Sequence, residues 1–285
     1  MQNNKTFSSP RLLELKRKRQ KILRNKILIF FFLSVILFFG LSFTTRFEKI
    51  NINNIEVVGN KVLDTELIKD LITKEMEGHY YFIVPKTSVL FYPKNQIERV
   101  LSKKFKRIKE ISVEVKNEQI LEVYLSERKA TYTWCGENIP TDEESITKED
   151  CYFMSSDGYI FDKAPYFSGA VYFKFYGAGR VGSLFSSENF NDLISFKDSV
   201  ISMGLQPNTF NVKKDGDIEL YLASNSSILN SPKILFKKDG DLIKITENLQ
   251  AAVITDPLKT NLKDKYDTLL YIDLRFGNKI YYKFR

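Results

Sequence analysis

The sequence predicts an α+β protein in three parts: a single N-terminal transmembrane helix, a small module whose elements run β-α-α-β-β, and a C-terminal, mostly antiparallel β domain with helices. Three observations predict it. The excess positive charge sits in residues 1–26, directly before 19 residues without a charge. Apolar spacing then switches between period two and period 3.6 in a readable order. Beyond about residue 129, short period-two runs recur, separated by turn pairs that contain Gly.

The formal charge is +8, and nine Lys/Arg against Glu14 alone in residues 1–26 account for all of it. The remaining body is balanced, which excludes a nucleic-acid-binding domain, although a basic tail can serve as a nucleic-acid arm. The run at 27–45, ILIFFFLSVILFFGLSFTT, is bounded by Lys26 and Arg46. At about 1.5 Å per residue it spans roughly 28 Å, close to the hydrocarbon core of a bilayer. The positive flank places residues 1–26 in the cytoplasm and the bulk outside the membrane. A cleaved signal peptide competes with this reading, but the run exceeds the usual h-region and offers only Gly40-Leu41-Ser42 as a weak small-x-small site.

Residues 50–128 form the small module. Ile50–Val58 reads as a strand closed by Gly59-Asn60. Asp64 N-caps a helix to about residue 74, with Leu67, Ile68, Leu71 and Ile72 on one face. Gly78 ends it, and the apolar stretch 80–84 packs over the sheet. Pro93 opens a second helix that places Ile97, Val100, Leu101 and Phe105 on one side. Two strands follow, with Ile111, Val113 and Val115 sharing a face of the first and Leu121, Val123 and Leu125 a face of the second. A polar turn at 117–119 joins them.

Residues 129–285 hold more strands. They are read at 132–134, at 152–161 as a hairpin about Asp157-Gly158, and at 171–176. Ser187 caps a helix whose face is Phe190, Leu193, Ile194, Lys197, Val200 and Ile201. Strands at 210–212 and 218–222 flank Asp215-Gly216. Then come a strand at 233–236, an amphipathic helix at 242–254, a polar link at 256–266, and strands at 268–274 and 279–284 joined through Gly277-Asn278.

The phrases INNIEVVGNKVLD, YPKNQIERVLSKKFKRIKEISVEV and LEVYLSERKATYTW, with their order and spacing, resemble a POTRA domain, two helices on a three-stranded sheet. With the tail, the apolar run and the closing phrase LLYIDLRFGNKIYYKF at 269–284, the layout resembles the bacterial FtsQ/DivIB cell-division family. The resemblance implies a non-catalytic scaffold in the plasma membrane at the division septum, which helps control septal peptidoglycan synthesis. It implies FtsB/FtsL-like partners at the last strand and other division proteins at the POTRA domain. Carried over, the contact positions are Phe276, Asn278, Lys279, Ile280, Tyr281, Tyr282, Lys283 and Phe284, with Tyr271 and Arg275 as neighbours. The physics agrees: a final strand leaves N–H and C=O groups to pair, and Lys279, Lys283 and Arg285 discourage self-pairing and favour an acidic partner. An ordinary charge-guarded edge strand is the plain alternative.

Other functions compete. Another POTRA-bearing protein of envelope assembly or secretion would carry tandem copies or barrel strands. A membrane-anchored envelope enzyme would need convergent titratable groups. Gly177 to Gly182 fits GxGxxG but lies among hairpins, so it reads as a flexible loop, not a dinucleotide site. Ser126 to Lys129 fits SxxK, but at a strand end and with companion motifs in the wrong order. His79 is the single histidine, so no catalytic residue, cofactor or metal site is expected. Cys135 and Cys151 bracket an acidic loop, 136–150, that departs from the family pattern. They can form a disulfide closing roughly 15 residues, stay unpaired, or hold a metal with nearby carboxylates. The absence of CxxC and HxxxH disfavours the last.

Overall fold

Asp64 opens the helical layer of the first of two compact units. Its carboxylate accepts the Glu66 N–H at 2.8 Å and starts a helix, as a side chain of this type does at an N-cap. The computed structural model describes residues 10–44, 50–81, 84–117, 119–142, 144–145, 149–167, 171–185, 190–224 and 228–285. The units comprise residues 1–104 with 110–126, and residues 105–109 with 127–285.

The N-terminal helix, α1 (Pro10–Thr44), overturns an expectation. Residues 10–26 of the basic segment and 27–44 of the apolar run belong to one continuous helix of 35 residues. Among the described residues no helix is long and apolar enough to cross a membrane, so the transmembrane helix at 27–45 is corrected. The physical reason is continuity: the apolar run extends a helix whose first half, from Arg11 to Lys26, carries eight Lys and Arg residues, so the helix as a whole is not apolar, and Thr45 lies outside the described residues.

In the rest of the first unit, β1 (Asn54–Val58) pairs parallel with β5 (Ile120–Glu127), whose other neighbour is β4 (Ile108–Lys116). Helices α2 (Thr65–Met76) and α3 (Lys94–Lys104) bury Ile68, Ile72, Met76, Ile97 and Leu101. Leu121, Val123 and Leu125 alternate inward from β5. A two-residue ladder, β2 (His79–Tyr80) with β3 (Val84–Pro85), occupies the apolar stretch 80–84 and its flanks. Phe82 and Ile83 of that stretch lie outside the described residues.

The second unit is built on one nine-stranded sheet. Its strands are β6 (Tyr132–Trp134), β7 (Tyr152–Met154), β8 (Ile160–Lys163), β9 (Phe173–Tyr176), β10 (Pro207–Val212), β11 (Asp217–Leu222), β12 (Lys233–Lys237), β13 (Leu269–Phe276) and β14 (Lys279–Phe284). The spatial order is β14-β13-β12-β11-β10-β9-β6-β7-β8. Antiparallel pairs predominate, but β6–β9, β9–β10 and β12–β13 are parallel.

Three helices are packed on one face: α4 (Phe190–Ser202), α5 (Leu242–Val253) and α6 (Leu258–Lys265). On α4 the buried positions are Phe190, Leu193, Phe196 and Val200, an i, i+3, i+6, i+10 stripe. Ile201, expected on that face, sits one position round the helix and is exposed, and Ser187, the expected cap, lies outside the described residues. The polar link at 256–266 is largely α6. Leu258, Leu262 and Tyr266 recur every fourth residue and pack on the core.

Cys135 and Cys151 are joined by a disulfide. The Cys135 N–H donates to Phe175 O at 2.9 Å, and Cys151 O accepts the Ala164 N–H at 2.8 Å, so the bridge ties backbone that is already paired. The buried Glu149 carboxylate beside it accepts from the Lys174 ammonium and the Tyr176 hydroxyl. Positions 143 and 146–148 of the acidic loop lie outside the described residues. Replacing both cysteines with serine is expected to lower the stability of this unit by about 3 kcal/mol, the entropy of closing such a loop. Urea unfolding followed by fluorescence of Trp134, the single tryptophan, measures it.

Candidate partner-binding edge

The two ends of the large sheet differ. At one end the start of β8 is covered by 182–185. The Ile160 N–H donates to Ser183 O at 3.0 Å, Ile160 O accepts the Gly182 N–H at 2.7 Å, and Tyr159 bridges Leu184. At the other end β14 pairs with β13 on one side, and among the described residues nothing pairs on its outer side. A strand left in that state presents a row of donors and acceptors to another chain.

Register decides which groups are presented. The Arg285 N–H points inward, donating to Thr268 O at 2.8 Å. Alternation along the strand then turns the N–H and C=O of Phe284, Tyr282 and Ile280 to the outer edge. Their side chains do not follow. Ile280, Tyr282 and Phe284 are half-buried and pack on the aromatic core beneath the helices. Lys279, Tyr281 and Lys283 point to the opposite face of the sheet and are exposed, as are Phe276 and Asn278. The eight carried-over positions therefore divide into three that offer backbone and five that offer side chains.

The exposed set has a centre. Phe276 and Tyr281, 57% and 50% exposed, meet edge to face with ring centroids 5.3 Å apart. Gly277 turns the chain between the strands with φ +67°, a region that favours glycine, and Asn248 of α5 donates to its carbonyl at 3.2 Å.

An ionic network holds this hairpin from the face opposite the three helices. Arg275 grips Asp273 through Nε at 2.9 Å and Nη2 at 2.6 Å, and reaches Asp217 on β11 through Nη1 at 2.6 Å. Lys237 on β12 completes it at 2.5 Å from Asp217. The Lys237 ammonium and the Arg275 guanidinium hold the Asp217 carboxyl below the usual carboxylate range. The I-D-L-R phrase thus has a physical role: Asp273 and Arg275 are two apart on one strand and form a fork. Asp217 and Lys237 escape a reading of the sequence, because their place beside Arg275 follows from sheet order and not from local spacing. Tyr271, on the same face, pairs in register with Lys283.

The segments that mimic catalytic motifs serve the fold. Gly177–Gly182 is a packed turn. The Trp134 indole donates to Gly177 O at 3.0 Å, and a Cβ on Gly179 would lie 2.9 Å from Ile160 Cδ1. The Ser126 hydroxyl, on strand β5, donates to Glu110 at 3.2 Å. His79 is exposed in the β2 ladder. Among the described residues one group has metal-ligand spacing, Cys135, Glu149 and Cys151 within 4.8 Å, and its two sulfurs are bonded to each other.

No protein-family model matches the chain, and no curated protein matches it at a significant level.

Proposed function

We propose that the chain is a non-catalytic scaffold that binds other proteins by accepting a partner strand along β14. One observation carries the reading: among the described residues nothing pairs with the outer side of β14, whereas at the opposite end of the same sheet 182–185 bonds the start of β8. The backbone of Ile280, Tyr282 and Phe284 supplies the ladder. The Phe276–Tyr281 pair supplies an apolar anchor, and Lys279 and Lys283 favour an acidic or neutral strand. The narrower reading, a scaffold of bacterial cell division with FtsB/FtsL-like partners, rests on the resemblance of 50–64, 92–115 and 269–284 to the FtsQ/DivIB family.

Removing the strand is a poor test, because it strips Ile280, Tyr282 and Phe284 from the core. The test is the full-length Lys279→Glu/Lys283→Glu variant and, separately, Tyr281→Ser, each purified from the host beside wild type. Recovery of strand-forming partners is expected to fall by about tenfold or more, the effect of charge reversal or loss of an aromatic anchor at a small interface. Undiminished recovery with both variants would overturn the edge site. If coiled-coil division proteins are absent among partners lost in the variants, the narrower reading fails while the edge site stands.

A further inference from the structure

Helices α4 and α5 flank a cleft of about 450 Å³ on the helical side of the second unit. Its floor is apolar: Phe196 is fully buried, Leu242 is half-buried, and Ile243 is 75% exposed on the rim. An isoleucine left so open beside a cleft offers area that a partner can cover.

The polar groups of the cleft all accept hydrogen bonds. Three hydroxyls line it, and each gives its proton back to its own helix: Ser195 to Asn191 O at 3.0 Å, Ser199 to Ser195 O at 2.9 Å and Thr246 to Leu242 O at 2.6 Å. What they turn to a ligand is an oxygen lone pair. Asp241 caps α5 through the Ile243 and Lys244 N–H groups. Asp192 and Glu247 lie on the two walls and have no hydrogen-bond or ion-pair partner among the described residues. No lysine or arginine lines the cleft. An anion would therefore find no side-chain donor there, whereas a ligand bearing ammonium or guanidinium groups along an apolar stripe would satisfy both rim and floor.

The walls also decide the ligand's backbone. Both are helices, whose backbone pairs along their own axes, so there is no strand edge to extend. Side chains alone can make contact, and a groove between two helices receives a third helix. The lining stretches, 192–199 and 241–247, are roughly 10–12 Å long, about two turns. We propose that the α4–α5 cleft docks two turns of a basic amphipathic helix of a partner protein at a site independent of β14.

The experiment uses the full chain and two capped 14-residue helical peptides that share Leu at i, i+3, i+4 and i+7. One carries Lys at the intervening positions and the other Glu. The Lys peptide is expected to bind and to protect the amides of 192–199 and 241–247 from hydrogen exchange. The Glu peptide is expected to bind at least about tenfold more weakly, by the unfavourable pairing of like charges. Asp192→Asn/Glu247→Gln should weaken the Lys peptide by about tenfold, and Ser195→Trp, a substitution at an exposed helical position, should block it by filling the cleft. The Lys279→Glu/Lys283→Glu variant should bind it as wild type does, which separates this site from the edge. Equal binding of the two peptides, wild-type affinity in Asp192→Asn/Glu247→Gln, or protection confined to other segments would each overturn the proposal.

Discussion

Glu219→Ala is expected to destabilise the second unit by about 3–5 kcal/mol at neutral pH, the range for removing one partner of a buried charge network. Glu219 is 4% exposed, on the face of the sheet opposite the three helices. Its carboxylate accepts from Lys233 at 2.9 Å, Lys213 at 2.9 Å, the Tyr221 hydroxyl at 2.8 Å and the Asn211 amide at 3.0 Å. Burial alone pushes its pKa up, but the bonds from Lys233, Lys213 and Tyr221 outweigh that and bring it to about 2, against 4.5 for an unperturbed glutamate. Because the folded value lies below the unfolded one, the unfolded state takes up the proton first. The stabilisation is complete above about pH 4.5, declines as the pH falls from 4.5 toward 2, and is gone below that. A gap of this size corresponds to roughly 3 kcal/mol. Urea midpoints read from Trp134 should therefore drop steeply for wild type between pH 4.5 and 2.5 and much less for Glu219→Ala. Parallel curves for the two proteins would show that Glu219 does not carry the acid sensitivity. Tyr221 adds a marker, since burial and the neighbouring Glu219 charge push its phenol upward, so it should stay protonated while exposed tyrosines ionise.

Local signals made the elements legible and left their pairing unread. Period-two runs with Asp157-Gly158, Asp215-Gly216 and Gly277-Asn278 between them marked the hairpins, because the turn and both strands lie within a short stretch of chain. The parallel neighbours β6–β9, β9–β10 and β12–β13 have no such turn, and their partners are chosen by the common core across long connections. The helix over 258–265 escaped because three apolar residues spaced by four are sparse among Lys, Asp and Asn. At the edge, the final position of β14 was visible in the sequence, as was the alternation of Lys279, Tyr281 and Lys283 with Ile280, Tyr282 and Phe284. Which of the two sets faces the core was not, since the bulges on β13 set that register. The apolar run at 27–45 was the most conspicuous feature of the sequence, yet its helix is continuous with a strongly basic half. An uncharged run is evidence about composition, whereas a span is a property of the whole helix that carries it.

The largest single loss from the core is expected at Phe175, on β9. It is fully buried, and its ring meets those of Tyr132 at 5.4 Å, Phe173 at 5.2 Å, Phe185 at 5.4 Å, Phe190 at 5.5 Å and Phe210 at 5.6 Å. These rings come from β6, from β9 itself, from the segment that covers β8, from α4 and from β10. One side chain thus joins both kinds of sheet pairing to the helical layer. Phe175→Ala removes the shared neighbour of all five and leaves a cavity that rings on rigid strands cannot collapse to fill. The expected loss is about 3–5 kcal/mol. Phe175→Leu keeps most of the volume and should lose about 1–2 kcal/mol, chiefly the edge-to-face contacts. Trp134 on neighbouring β6 reports the change, because its register partner across the parallel pair is Phe175. If the alanine variant unfolds at the wild-type urea concentration, the aromatic cluster is not the core that holds the nine strands together. If it unfolds early with an unchanged denaturant slope, the loss is one of packing, and the open edge of β14 sits on a sheet whose rigidity is set about five strands away.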